Sequence, residues 1–366
     1  MSEKLMIHGA DHKPLYEIWI DSSFACLPDK VRACGLAGKK CLIVTDTNVG
    51  PLYGKEAAEK LAACGCESRI FAIPAGEVHK TLRTVETVYR ALIEQKYDRS
   101  SFIAALGGGV VGDLAGFSAA TYLRGIPFIQ IPTTLLAQSD SSVGGKTGVD
   151  FDGYKNMVGA FAMPKLVYMN TSVLSTMEER AYLSGMGEVI KHAYIRDPEF
   201  LAYIREHTEQ ILARDPETLI HLDSVNCGIK GAVVEEDPKE SGLRRILNFG
   251  HTLGHAIEKQ TAGSMWHGEC VSVGMTAAVW ISEKRGLLPA GSTQKVRDQL
   301  TALHLPVTAS FDPDLALDAV RNDKKVKNGK PVFILLSAPG SAFATDDVTF
   351  EEMRAALEQV REHSAG

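Results

Sequence analysis

The chain has 366 residues, with 39 Lys and Arg against 45 Asp and Glu, so its formal net charge is −6. Hydrophobic residues at 45% and charged residues at 23% exclude a disordered tail protein, a collagen-like repeat and a small disulfide scaffold. The acidic balance argues against nucleic acid as the main partner, although local basic clusters can still bind small anions. The opening MSEKLMIHGADHK has no apolar core, so no signal peptide is expected. No run of about 18 apolar residues predicts a membrane span. Seven cysteines without a CxxC pair point to reduced thiols and a cytoplasmic protein.

Residues 40–46 (KCLIVTD) read as a buried strand, 55–64 as a helix and 68–73 as a second strand. Residues 81–95 place Val85, Val88, Leu92 and Ile93 on one helical face. Residues 102–106 (FIAAL) form a short apolar strand running into glycines, and 128–131 a strand stopped by Pro132. This alternation predicts an α/β domain with a Rossmann-like parallel sheet. From about residue 175 the texture is helical: 176–196, 199–213, 217–234, 245–260, 271–285 and 350–361 all carry helical periodicity. Only 332–336 (VFILL) reads as a strand there. The chain therefore divides into an α/β domain, 1–175, and a mainly helical domain, 176–366.

Four constellations could carry chemistry. Gly107-Gly108-Gly109-Val110-Val111-Gly112-Asp113 satisfies GxGxxG between an apolar strand and a helical run. Such glycines let backbone N–H groups approach a pyrophosphate. A tight structural turn is the other reading, because the fingerprint does not follow the first strand. Residues 140–147 (DSSVGGKT) end like a P-loop, but Asp140 stands where its first glycine belongs, so a nucleotide triphosphatase is excluded. What remains is a polar loop with Asp140 and Lys146, followed by Lys155 and Asn156: an anion site or a solvated surface.

His251 and His255 stand at i and i+4 on one helical face, His267 heads a further helix, and Glu188 and Lys191 stand at i and i+3. Two His and a carboxylate make a catalytic zinc set with an open position. Core or capping histidines are the bland alternative. Lys230, Glu240, Arg244, Arg245 and Asn248 place cations and amides near that set, suiting a substrate with phosphate and carboxylate, or else forming a solvated basic face.

Taken together, GGGVVGDLAGF (107–117), QIPTTLLAQSDSSVGGKTGVDFDGYK (130–155), GEVIK (187–191), LNFGHTLGHAIE (247–258) and HGE (267–269) resemble the 3-dehydroquinate synthase family in content and order. The likeness spans about residues 40–340; the first 35 residues match little of it and read as a variable edge strand. The resemblance implies NAD in the α/β domain, a divalent metal (zinc or cobalt) between the domains, and a homodimer. It implies conversion of 3-deoxy-D-arabino-heptulosonate 7-phosphate, a sugar phosphate, to 3-dehydroquinate and phosphate, with NAD regenerated in each turnover.

By motif, Glu188, His251 and His267 are the implied metal ligands. Asp46, Asn48, Glu77, Lys80, Gly108, Gly109, Val110, Asp113, Thr133, Thr134 and Lys155 are implied to contact NAD. Asp140, Lys146, Asn156, Lys191, Lys230, Arg244, Asn248 and Lys325 are implied around the substrate. His255 and Glu240, with Lys146 and Lys191, are the implied catalytic groups, and Arg124 reaches a neighbouring subunit's site. The chemistry is coherent: oxidising a secondary alcohol acidifies the adjacent C–H, phosphate then leaves by elimination, and the leaving phosphate can serve as the base. Cyclases acting on sedoheptulose 7-phosphate or glucose 6-phosphate are the nearest alternative. A simple metal-dependent alcohol dehydrogenase, which would release NADH, is a second class, and a non-catalytic regulatory descendant a third.

Overall fold

The computed structural model describes residues 2–238, 240, 242–261, 263–322 and 331–362. In chain order the elements are β1 (Glu3–His8), β2 (Pro14–Asp21), α1 (Leu27–Ala33), β3 (Lys40–Asp46), α2 (Lys55–Ala63), β4 (Glu67–Ile73), α3 (Leu82–Glu94), β5 (Phe102–Gly107), α4 (Gly109–Thr121), β6 (Phe128–Pro132), β7 (Lys146–Phe151), β8 (Tyr154–Phe161) and β9 (Leu166–Asn170). Then follow α5 (Glu179–Arg196), α6 (Pro198–Glu206), α7 (Thr208–Leu212), α8 (Pro216–Glu236), α9 (His251–Thr261), α10 (His267–Lys284), α11 (Ser292–Ala302), α12 (Pro313–Arg321), β10 (Phe333–Ala338), β11 (Ser341–Thr345) and α13 (Phe350–Val360). They form two compact units, residues 1–177 with 214–235, and 178–213 with 236–366.

In the first unit seven strands run in the order β1-β2-β9-β6-β5-β3-β4, parallel except for the β1–β2 pair. β5 and residues 41–44 of β3 are apolar because both faces are covered. Leu42, Val44, Ile103 and Ala105 pack on one face with α3 and α4, and Cys41, Ile43, Phe102 and Ala104 on the other with α1 and α2. That division follows the period-two alternation of a strand. Thr81 caps α3 by accepting from the Thr84 N–H.

α8 belongs to this unit, although periodicity alone assigned 217–234 to the helical half. Ile220 and Cys227, two turns apart, close a cluster with Ile18, Ile20, Val167 and Met169 of β2 and β9. Burial against the sheet decides its membership, and an apolar helical stripe does not say which partner it faces. Lys146 and Thr147, read as loop, begin the strand β7, which pairs with β8 as a separate hairpin. The first 35 residues give the edge strand expected, but also an inner strand, β2.

In the second unit α10 is buried along most of its length and packs against α5, α9, α11, α13 and β10. The single helix read over 245–260 is instead a 3-10 turn (Leu243–Asn248) followed by α9, broken at Gly250, whose φ is +77°. The helix read over 199–213 is likewise two, and the strand near 332–336 pairs with the unanticipated β11. Thr349 and Glu352 cap α13 reciprocally, and Asp312 caps α12.

Candidate active site

In the helical unit the charged groups converge where helix backbones touch. α5 carries Glu188 and Lys191, α9 carries His251 and His255, and α10 opens at His267. A Cβ on Gly187 would lie 2.5 Å from the Gly268 carbonyl oxygen, one on Gly268 1.7 Å from that of Ser184, and one on Gly274 1.9 Å from that of Gly250. Only glycine permits such an approach. Two of these glycines adjoin Glu188 and His267, so the same contacts that join α5 to α10 bring carboxylate and imidazole together.

Glu188 Oε1 lies 3.4 Å from His251 Nε2 and 3.4 Å from His267 Nε2, while Oε2 accepts from Lys191 Nζ. Oε1 is buried and makes no well-formed hydrogen bond among the described residues. The other ring nitrogens are engaged: His251 Nδ1 lies 3.0 Å from the Phe249 carbonyl oxygen, and His267 Nδ1 3.0 Å from Glu258 Oε2. Both acceptors take a hydrogen bond from Nδ1–H, which leaves each Nε2 facing the buried oxygen.

Burial alone would raise the Glu188 carboxyl, but Lys191 and the two histidines outweigh it and hold it well below the usual carboxylate range. Burial pushes His251 below its ordinary value against the pull of Glu188. For His267 burial acts in the same sense, yet Glu188 and Glu258 outweigh it and push the ring up to about 10. An ionised carboxylate oxygen and two imidazole nitrogens with no better partner fit a divalent metal of the zinc or cobalt type. The His255 ring stands 5.1 Å from that of His251 and 5.5 Å from that of His267, edge-on to the first. Nitrogens of all three histidines fall within 4.8 Å of one another.

Beside these groups Asn248 Nδ2 donates to Glu240 Oε1 over 3.0 Å, so two of the expected site residues are paired directly. Glu240 has a φ of +58°. Arg244 is buried; its N–H donates to Asp237 Oδ2, and its guanidinium to the Pro238 carbonyl oxygen.

In the sheet unit the dinucleotide candidates collect at the carboxyl ends of β3, β4, β5 and β6, where open parallel sheets bind ligands. Asp46 ends β3 and accepts from the Asn48 and Val49 N–H groups. Glu77 lies in the turn after β4, Gly108 precedes Gly109 and Val110 at the start of α4, and Thr133 and Thr134 follow β6. A Cβ on Gly108 would stand 3.0 Å from Thr134 Cγ2, so the glycine run passes close to that turn. Lys80 Nζ makes a 2.7 Å ion pair with Asp113 and a 2.7 Å hydrogen bond to Asn156 Oδ1. Burial raises the Asp113 carboxyl, and Lys80 pulls it back.

Asn156, expected near substrate, is thus joined to Lys80 and, through it, to Asp113, both expected near cofactor. Lys230 of α8 donates to both the main-chain and side-chain oxygens of Asp140, the latter at 2.7 Å. Lys146, Lys155 and Arg124 are exposed. Lys325 lies outside the described residues. Sequence reasoning missed Glu258, Asp237 and the contact glycines. The glycine signal was present, since Gly187-Glu188, Gly250-His251 and His267-Gly268 each set a glycine beside a ligand candidate.

Family models described as 3-dehydroquinate synthase N-terminal and C-terminal match residues 70–184 and 185–326. The 3-dehydroquinate synthase of Acetivibrio thermocellus is 46% identical over 321 residues, 87% of this chain and 89% of that protein. That of Ruminiclostridium cellulolyticum is 48% identical over 307 residues, 84% and 86%. Among solved structures, 2-deoxy-scyllo-inosose synthase complexed with carbaglucose-6-phosphate, NAD+ and Co2+ aligns with a TM-score of 0.86 at 26% identity, covering 98% of this chain and all of that one. The 2-epi-5-epi-valiolone synthase of Streptomyces hygroscopicus, with NAD+ and Zn2+ bound, aligns with a TM-score of 0.86 at 29% identity, covering 95% and 97%. An iron-containing alcohol dehydrogenase, at 16% identity and a TM-score of 0.69, shares the fold alone.

Fold and site therefore define the dehydroquinate synthase-like class, an α/β domain joined to a helical one, which includes the sugar-phosphate cyclases. Within that class, the chain belongs to the 3-dehydroquinate synthase family. Its activity is that of a carbon–oxygen lyase forming 3-dehydroquinate with release of phosphate.

Proposed function

We propose that the chain acts on 3-deoxy-D-arabino-heptulosonate 7-phosphate with the residues divided as follows. The observation that carries this reading is the meeting of Glu188 Oε1 with two Nε2 atoms beside Lys191. When bound, NAD supplies a hydride acceptor and the divalent metal a Lewis acid for the alcohol to be oxidised. Glu188, His251 and His267 hold the metal. Asp46, Asn48, Glu77, Lys80, Gly108, Gly109, Val110, Asp113, Thr133, Thr134 and Lys155 hold NAD, and Lys80 also fixes Asn156.

Lys146, Asn156, Lys191, Lys230, Arg244, Asn248 and Lys325 bind the carboxylate and phosphate of the substrate. Asp140 orients Lys230 through a 2.7 Å ion pair. Once the substrate carries its new ketone, the adjacent C–H gives its proton to an oxygen of the substrate's own phosphate, a C=C bond forms, and the C–O bond breaks with its electron pair leaving on the phosphate. Lys146 and Lys191 hold charge in place during this step. His255 and Glu240 move protons in the later reduction, ring opening and closure. The edge-on ring of His255 beside His251, and the hold of Glu240 on Asn248, support those roles.

A homodimer, with Arg124 serving the partner's site, is part of this reading. Leu123 and Arg124 both have positive φ, a costly backbone that presents an exposed guanidinium. β8 also turns Tyr154, Met157 and Phe161 outward. A sedimentation measurement giving a monomer at micromolar concentration would remove the dimer. Seven free thiols support a reducing, cytoplasmic setting. No helix among the described residues is long and apolar enough to cross a membrane.

The test mixes metal-loaded protein, catalytic NAD and the heptulosonate phosphate, and follows phosphate and NADH together. Stoichiometric phosphate without lasting NADH is expected. Phosphate released only from sedoheptulose 7-phosphate or glucose 6-phosphate would overturn the substrate, and accumulating NADH would overturn the cyclase reaction.

A further inference from the structure

The two histidines that face Glu188 are held from behind by different chemistry. His251 Nδ1 meets a neutral acceptor, the Phe249 carbonyl two residues earlier on its own chain. His267 Nδ1 meets a carboxylate, Glu258 Oε2, at 3.0 Å. Glu258 stands on α9, seven residues beyond His251 and so on nearly the same face of that helix, while His267 opens α10. Its side chain is 18% exposed, and that of His267 31%.

The backbone at His267 is fixed separately. Glu269 Oε2 accepts the Trp266 N–H at 2.7 Å, and Arg180 grips both oxygens of Glu269 at 2.6 and 2.7 Å. Arg180 and Glu269 thus set where α10 starts, and Glu258 sets how the His267 ring is turned. A partly exposed ring at the first position of a helix has rotational freedom that a buried one lacks. The carboxylate removes that freedom and, by drawing on Nδ1–H, enriches Nε2 as a donor.

We propose that Glu258 is the positioning residue of the metal centre: through His267 it selects the tautomer that leaves Nε2 free and makes that imidazole the stronger of the two nitrogen donors. This rests on the reading of His267 as a ligand. Because His251 relies on a main-chain oxygen, no side-chain replacement there has a matching effect, and the dependence on Glu258 is one-sided.

The test titrates metal-free protein with Co2+ and reads the visible d–d absorption and the dissociation constant by chelator competition. Glu258→Gln keeps the shape but offers a neutral acceptor, and Glu258→Ala offers none. Co2+ affinity should fall about 10- to 100-fold in Glu258→Gln and further in Glu258→Ala, with an altered d–d band and an unchanged melting temperature of the metal-free protein. Glu258→Asp, which keeps the charge, should recover part of the loss; it also stands in if Glu258→Ala does not fold. Affinity within twofold of wild type in both Glu258→Gln and Glu258→Ala, with His267→Ala abolishing binding, would overturn the positioning role alone. Unchanged Co2+ binding in His267→Ala would instead overturn the ligand reading on which it rests.

Discussion

The helical unit gathers its charged groups on side chains, Glu188, Lys191, His251 and His267, that meet because α5, α9 and α10 touch backbone to backbone. The sheet unit gathers its cofactor candidates at strand ends, where Gly108 and Gly109 lead into α4, Thr133 follows β6, and Lys80, Asp113 and Asn156 form one ion-pair and hydrogen-bond network. Exposure differs accordingly. Glu188 and Lys191 are almost wholly buried, whereas Asn156 and Glu77 reach solvent. A buried charge set tolerates no missing member, because the remaining charge has no water to turn to. A strand-end cluster loses one contact at a time.

That difference can be broken at several points. Glu188→Ala should have the largest effect: metal binding is lost, activity falls more than a thousandfold, and Lys191 is left buried without its partner at a cost of about 3–5 kcal/mol. Calorimetry with and without Zn2+ checks both parts, and retained zinc binding would count against the ligand set. His255→Ala should keep metal and NAD binding yet lose about 10²- to 10⁴-fold in turnover, the range of a general acid–base group. Turnover at the wild-type rate would sink its proton-transfer role.

Paired glycine substitutions sharpen the comparison further. Gly268→Ala drives a methyl into the Ser184 carbonyl, 1.7 Å away, and should cost about 3 kcal/mol or more together with the metal site. Gly108→Ala meets only the Thr134 methyl at 3.0 Å, a side chain that can turn, and should cost about 1 kcal/mol while raising the NAD dissociation constant. Equal melting temperatures of the two variants would contradict the contrast between helix crossing and strand end.

A further expected effect, outside both clusters, is a pH dependence seated in α8. Asp223 is fully buried, neither of its oxygens has a hydrogen-bond partner among the described residues, and burial pushes its carboxyl up to about 8 from an ordinary 3.8. Between those values the folded chain keeps a proton that the unfolded chain has released. Stability therefore falls as pH rises from about 4 to 8 and levels off above. Asp223→Asn removes this slope, so the variant should gain about 1–3 kcal/mol over the wild type at pH 8.5 compared with pH 5. An unchanged difference between the two pH values would show that Asp223 is ionised in the fold.

Much of this was legible in the residues themselves. The strands over 40–46, 102–106 and 128–131 stand where their apolar runs put them, because a central parallel strand must be apolar on both faces. His251 and His255 share a helix face because their spacing fits a helical turn, and the order of the motifs carried the family. Other features had no local signature. α8 reads as one more amphipathic helix, and only its contact with β2 and β9 assigns it to the sheet unit.

Gly250 separates a 3-10 turn from α9 within one continuous apolar pattern, because periodicity does not register a single left-handed residue. Glu258 looks like an ordinary helix-surface acid until His267, on another helix, is laid against it. The sequence alone determined which residue types were available and which short stretches were strand or helix, since those depend on near neighbours along the chain. Only the tertiary structure decided that Glu188, His251, His267 and Glu258 meet, because their meeting depends on helices whose backbones approach closely enough to exclude any side chain but glycine's.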